Sequence, residues 1–115
     1  MVKTAVLPLV CALLASVAQA QTAPQPSAQR AAELVRMVRQ DCGSCHGLRL
    51  TGGLGPALTR EALADKPIGS LAATIYGGRP GTPMAPWKAM VNEAEALWIA
   101  QQLRAGFPEP QKDSR

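Results

Sequence analysis

The chain has 115 residues, 47% hydrophobic and 17% charged, with four aromatic side chains, ten glycines, ten prolines and a net charge of +4. That length holds one small domain and excludes a multidomain enzyme. Three cysteines and one histidine exclude any scheme that needs two histidines from one chain, and the mild, unclustered charge lacks the basic stripe of a nucleic-acid binder.

The N-terminus has a cationic start at Lys3, an apolar stretch from Ala5 to Leu14, and Ala18-Gln19-Ala20, a small-x-small site for signal peptidase. Residues 1–20 therefore predict a cleavable export signal. The apolar stretch is shorter than the ~20 residues that span a bilayer, so no stable membrane anchor is expected. Cys11 leaves with the signal, and Leu9-Val10 before it lacks the small residue that lipoprotein processing requires. Cleavage after Ala20 leaves a mature chain of 95 residues with eleven Lys and Arg, eight Asp and Glu and a net charge of +3. Its middle is the positive part: residues 43–90 hold Arg49, Arg60, Lys66, Arg79 and Lys88 against Glu61 and Asp65, whereas residues 91–115 sum to −1.

Residues 21–27 are polar and Pro-containing, and read as a flexible segment. Ser27 can cap a helix from Ala28 to about Asp41, whose apolar stripe is Ala31, Leu34, Val35, Val38 and Cys42. Residues 47–59 are too rich in Gly and Pro for regular structure and predict a loop with several tight turns. Short helical pieces are expected at 60–65 and 69–76, the second ended by Gly77-Gly78. A second Gly/Pro loop follows over 79–86. Asn92 opens the last helix with Glu95 three residues on, a capping-box arrangement. Ala96, Ile99, Ala100, Leu103 and Phe107 form its stripe, and Pro108-Glu109-Pro110 ends it; residues 108–115 read as a disordered tail. No stretch alternates apolar and polar residues as a strand would. The expectation is an all-α domain of three or four short helices, small enough to gain from a staple, with two loops that need something to pack against.

Cys42-Gly43-Ser44-Cys45-His46 is the C-x-x-C-H pattern of c-type haem attachment. Two thioethers must reach the two vinyl groups of one porphyrin edge, and the residue after the second Cys then lies beneath the iron, where an imidazole can coordinate. The chain's only His stands at that position. Three other readings compete less well. A Cys42–Cys45 disulfide closes too short a loop to constrain the unfolded chain much. A thioredoxin-type pair wants strand-helix alternation. A structural zinc site needs four protein ligands, and Cys42, Cys45 and His46 are all the Cys and His residues of the mature chain.

A sixth iron ligand separates an electron carrier from a gas-binding or catalytic haem. Met84 lies in Thr82-Pro83-Met84-Ala85-Pro86, 38 residues after His46, on a loop stiffened by prolines. It is preferred to Met90, which precedes the last helix, and to Met37, which reads as core packing.

Together these features resemble the class I monohaem cytochrome c family over about residues 28–107, the expected cytochrome c domain. The matching segments, in order, are Cys42-Gly43-Ser44-Cys45-His46-Gly47, Gly55-Pro56-Ala57-Leu58, Ile75-Tyr76-Gly77-Gly78-Arg79 and Pro83-Met84-Ala85-Pro86-Trp87, between two amphipathic helices. Residues 47–56 and 98–104 are most similar to the cytochrome c-55X subgroup, small exported cytochromes that accompany the haem-c/haem-d nitrite reductase of denitrifying bacteria. The resemblance implies the class I fold around one covalently bound haem c. It implies thioethers at Cys42 and Cys45, axial ligation by His46 and Met84, and a Pro56 carbonyl accepting the Nδ1–H of His46. A ligating imidazole usually donates its second N–H to a fixed acceptor, which gives Pro56 an independent physical reason. One departure stands out: the family commonly has Pro directly after the ligand Met, where this chain has Ala85. The first and last helices are expected to cross and pack.

The functional expectation is a periplasmic one-electron carrier and not an enzyme, with no nucleic acid partner. The resemblance implies the periplasmic nitrite reductase as redox partner and a donor in the quinol-oxidising chain. Two alternatives stay open. One is a redox role in maturing the reductase or its haem d; the other, disfavoured by the lack of a second His or a distal acid, is a five-coordinate gas-sensing or peroxidatic haem.

Overall fold

The computed structural model describes residues 1–2 and 24–108. Apart from Met1 and Val2, the expected export signal with its Cys11 lies outside the described residues, as does the tail after Pro108.

Ser27 accepts a hydrogen bond from the Arg30 N–H at 3.2 Å and opens α1, Ala28–Met37. The helix does not stop near Asp41, as the periodicity predicts. It continues through one π-helical turn, Val38–Cys42, into a further turn, α2, Gly43–His46. In the π turn the Gly43 N–H reaches back to the Val38 carbonyl. This wider turn absorbs a residue, so a 3.6-residue count through Cys42 loses phase with the backbone.

Thr59 caps the single-turn α3, Arg60–Leu63, and Pro67 precedes α4, Ile68–Gly77. The last helix, α5, spans Glu93–Ala105. Its capping box is complete: Asn92 Oδ1 accepts from the Glu95 N–H at 2.8 Å, and Glu95 Oε2 accepts from the Asn92 N–H at 3.0 Å. Gly106 at φ +92° ends α5, ahead of the prolines to which the sequence assigns that role. A left-handed glycine turns the chain away before the first proline is reached.

Among the described residues there are helices and no strands, so the all-α expectation holds. The core joins Leu34, Val35 and Val38 from the first helical run to Ala96, Trp98, Ile99 and Leu103 of α5, with Leu50, Leu63 and Val91 closing it. Two arginines tie the first run to α5 and to the segment just after it. Arg30 Nε donates to Glu95 Oε1 at 2.6 Å, while Arg39 Nη2 donates to the Phe107 and Pro108 carbonyls and its guanidinium stacks over the Phe107 ring. α4 packs closely on α5, yet none of its own residues is fully buried, although Ile68, Leu71, Ile75 and Tyr76 are apolar.

Candidate haem site

Cys42 and Cys45 stand three residues apart on continuous helical backbone, which brings them to one face. Both are half-buried, with no disulfide between them.

His46 ends the same helix, and its Nδ1 lies 2.7 Å from the Pro56 carbonyl oxygen. A carbonyl can only accept, so the contact puts the ring proton on Nδ1 and leaves the Nε2 lone pair for a metal. The loop after the motif folds back on it: the Gly52 N–H donates to the His46 carbonyl and the Gly55 N–H to the Cys45 carbonyl, both at 2.8 Å. Gly55 is required here by space, because a Cβ would stand 2.8 Å from both Nδ1 and Cε1 of the imidazole.

Leu50 is the residue that sequence reasoning missed. It sits at φ +60° with its side chain 3% exposed, and its carbonyl accepts from the Leu58 N–H at 2.8 Å. The left-handed backbone costs roughly 1–2 kcal/mol, while burying a leucine gains roughly 1.5–3 kcal/mol, so the inward position wins. No sequence signal separates it from Leu48 and Leu54 of the same loop.

Met84 is half-buried on a loop latched to the end of α4. The Arg79 N–H donates to the Met84 carbonyl at 2.9 Å, and beyond the methionine the Trp87 and Lys88 N–H groups donate to Ile75 and Tyr76 at 3.1 and 3.2 Å. Thr82 Oγ1 accepts from the Met84 N–H at 3.2 Å. The other methionines differ: Met37 packs against the core, and Met90 is 58% exposed with its carbonyl accepting from Arg30. Trp87, Leu71, Ile75 and Tyr76 lie partly buried at the core edge. Arg60, exposed at the surface, caps α5 by donating to the Ala105 carbonyl.

These residues fit a covalently bound haem. Two thiols share one face, an imidazole offers Nε2, and an apolar helix without a buried residue leads into the latched Met84 loop. Residues 29–102 match the family model described as "Cytochrome C oxidase, cbb3-type, subunit III". The chain is 56% identical over 88 residues to Cytochrome c55X of Stutzerimonas stutzeri, with 76% of this chain and 78% of that one covered. This chain belongs to the cytochrome c55X family. As a c55X-family cytochrome it carries covalently bound haem c, and it is a small cytochrome and not an enzyme.

The solved c-type cytochrome NirC is similar at 56% identity and a TM-score of 0.68, with 70% of this chain and 94% of that one covered. The fold is therefore that of a c-type cytochrome. The structure titled "Dihydro-heme d1 dehydrogenase NirN in complex with DHE" is similar at 32% identity and a TM-score of 0.57, covering 69% of this chain but 17% of that one. Among the described residues, no helix is long and apolar enough to cross a membrane.

Proposed function

We propose that this cytochrome is a periplasmic one-electron carrier that donates to the haem-c/haem-d nitrite reductase of denitrification and is itself reduced by the quinol-oxidising chain. Cleavage after Ala20 and a single-haem domain over 28–107 belong to the same proposal. Bound haem c supplies a reversible one-electron iron couple, and a methionine ligand raises its potential. Cys42 and Cys45 would hold the group as thioethers, His46 would ligate its iron through Nε2, and Met84 would supply a sulfur ligand. The Pro56 carbonyl orients the imidazole and raises its basicity.

The observation that carries this reading is the latch on the Met84 loop, closed on itself from the Arg79 N–H to the Met84 carbonyl and bonded to α4 beyond the methionine through Trp87 and Lys88. A ligand held that firmly does not rearrange when an electron arrives, which suits transfer. Gas binding or peroxidatic chemistry needs an open iron position. Met84→Ala is expected to remove the sulfur-to-iron charge-transfer band and open the iron to carbon monoxide; an unchanged spectrum would move the ligand to Met90 or Met37. Stopped-flow mixing of the reduced protein with oxidised nitrite reductase tests the donor role, and electron transfer at near-physiological concentration is the expected result.

A second reading, a redox role in maturing the reductase or its haem d, is supported by the likeness to the dihydro-haem d1 dehydrogenase. No transfer to the finished reductase would favour it.

A further inference from the structure

Met84 stands in a segment poor in hydrogen-bond donors. Pro80, Pro83 and Pro86 have no N–H, so residues 79–86 cannot hold themselves by a regular ladder. A small closed ring does the holding instead. The Thr82 N–H donates to the Arg79 carbonyl at 3.1 Å, across a turn with Pro80 and Gly81 at its corner and Gly81 at φ +77°. Proline in the second place and a left-handed glycine in the third are the residues a type II turn selects.

The Thr82 side chain extends this turn to the methionine. Its hydroxyl donates to the Arg79 carbonyl at 2.7 Å and accepts from the Met84 N–H at 3.2 Å. A hydroxyl has one proton to give, so a carbonyl on one side and an amide on the other fix both directions. The Met84 carbonyl is taken in turn by the Arg79 N–H at 2.9 Å. Both polar groups of the Met84 backbone are therefore bonded within residues 79–84, and its N–H is held by a side chain. Pro83 stiffens the chain just before the methionine, whereas Ala85 after it carries no ring. The restraint on Met84 comes mainly from its N-terminal side.

A threonine in a turn often bonds its neighbouring backbone and does nothing more. Here the bonded amide belongs to the candidate ligand. A thioether is a weak acceptor, so its hold on a metal depends on being presented in place, and a presented group is kept there by the bonds of the residues behind it.

We infer that Thr82 is a positioning residue for the Met84 thioether: its hydroxyl locks the backbone that carries the sulfur and so sets how often the sulfur leaves the haem iron. The inference rests on the reading of Met84 as a ligand and names what holds it. Thr82 acts through the Met84 peptide.

The test uses the oxidised, haem-loaded protein and three variants. Thr82→Val keeps the shape and removes the hydroxyl, Thr82→Ala removes it without a second methyl, and Thr82→Ser keeps it. Each is mixed with imidazole in stopped flow, and the rate at saturating imidazole reads the departure of sulfur from iron. The Val and Ala variants are expected to take imidazole about tenfold faster than the parent, the size of effect that follows from removing a hydroxyl with two hydrogen bonds. The Ser variant should stay within about twofold of the parent, and all three should keep its midpoint potential. Hydroxyl-free variants as slow as the parent overturn the inference and leave the ligand reading intact. A Ser variant as fast as the Val variant overturns it too, by assigning the effect to packing. A shifted potential with an unchanged imidazole rate overturns it by assigning the hydroxyl to a contact with the haem itself. A parent that lacks the sulfur-to-iron band, and whose imidazole rate rises without saturating, sinks the Met84 ligation and the inference with it.

Discussion

The α1–α5 region and the two Gly/Pro-rich loops hold their shape by different means. Between the helices, order comes from side chains: Leu34, Val38 and Ile99 are essentially without solvent contact, Arg30 bridges to α5 and Arg39 to the segment just after it. In the loops, order comes from backbone hydrogen bonds that fold one loop onto the attachment helix and the other onto the end of α4. The helical pair is a hydrophobic core that the chain builds from its own side chains. The loops close tightly on the chain itself, and glycine is used where even a methyl would strike the Cys45 carbonyl, the His46 ring or the Met84 carbonyl.

This contrast predicts that damage to the two regions separates in its readout. The largest effect is expected from Ile99→Ala, which leaves a void at the centre of the core and costs roughly 2–5 kcal/mol of stability; urea unfolding should show it, while the folded fraction keeps its haem spectrum. Gly78→Ala comes next. Gly78 sits at φ +67°, ψ −170°, a region almost reserved to glycine, at a cost of roughly 1–3 kcal/mol for another residue. A Cβ there would also stand 2.7 Å from the Met84 carbonyl oxygen and 2.6 Å from the Pro86 nitrogen. Its effect should be local, with a weakened sulfur-to-iron band and carbon monoxide access at temperatures where helicity is unchanged. A core-like loss of cooperative unfolding without those spectral changes would erase the contrast.

The smallest effect concerns the ion pair. Hydrogen bonds from Arg30, against the opposing effect of burial, hold the Glu95 carboxyl below the usual carboxylate range. A carboxylate lowered in the folded state stabilises fully above its unfolded value, about 4.3, and loses that contribution as pH falls through the lower folded value. Arg30 is about one-third exposed, so solvent screening keeps the pair to about 1 kcal/mol or less. Glu95→Gln should be less stable than the parent at neutral pH by that amount, with the difference fading in acid below pH ~4. A gap that persists unchanged into strong acid would put the effect in packing rather than charge.

Legibility followed the same divide. The helical stripes, the Ser27 and Asn92 caps and the attachment motif were readable because each depends on residues a few positions apart. The π turn at Val38–Cys42 was not, since it leaves no mark in apolar spacing other than a lost phase. The buried Leu50 was not, since nothing local says which of the four leucines in a glycine-rich loop turns fully inward. The candidate ligand Met84 was singled out from Met37 and Met90 by loop chemistry, but the bonds that hold its loop to α4 join residues whose pairing no short-range rule gives.

The sequence by itself determined the chemistry: two cysteines and one histidine within residues 42–46 offer a haem attachment site at fixed spacing, and two amphipathic helices supply a core. Only the tertiary structure decided how the rest of the chain serves that site. It placed the Pro56 carbonyl on His46, drew the Met84 loop against α4 and buried Leu50. Covalent spacing is a local property of the chain, whereas each of those placements is a contact between segments, selected by which side chains and backbone groups can be satisfied together.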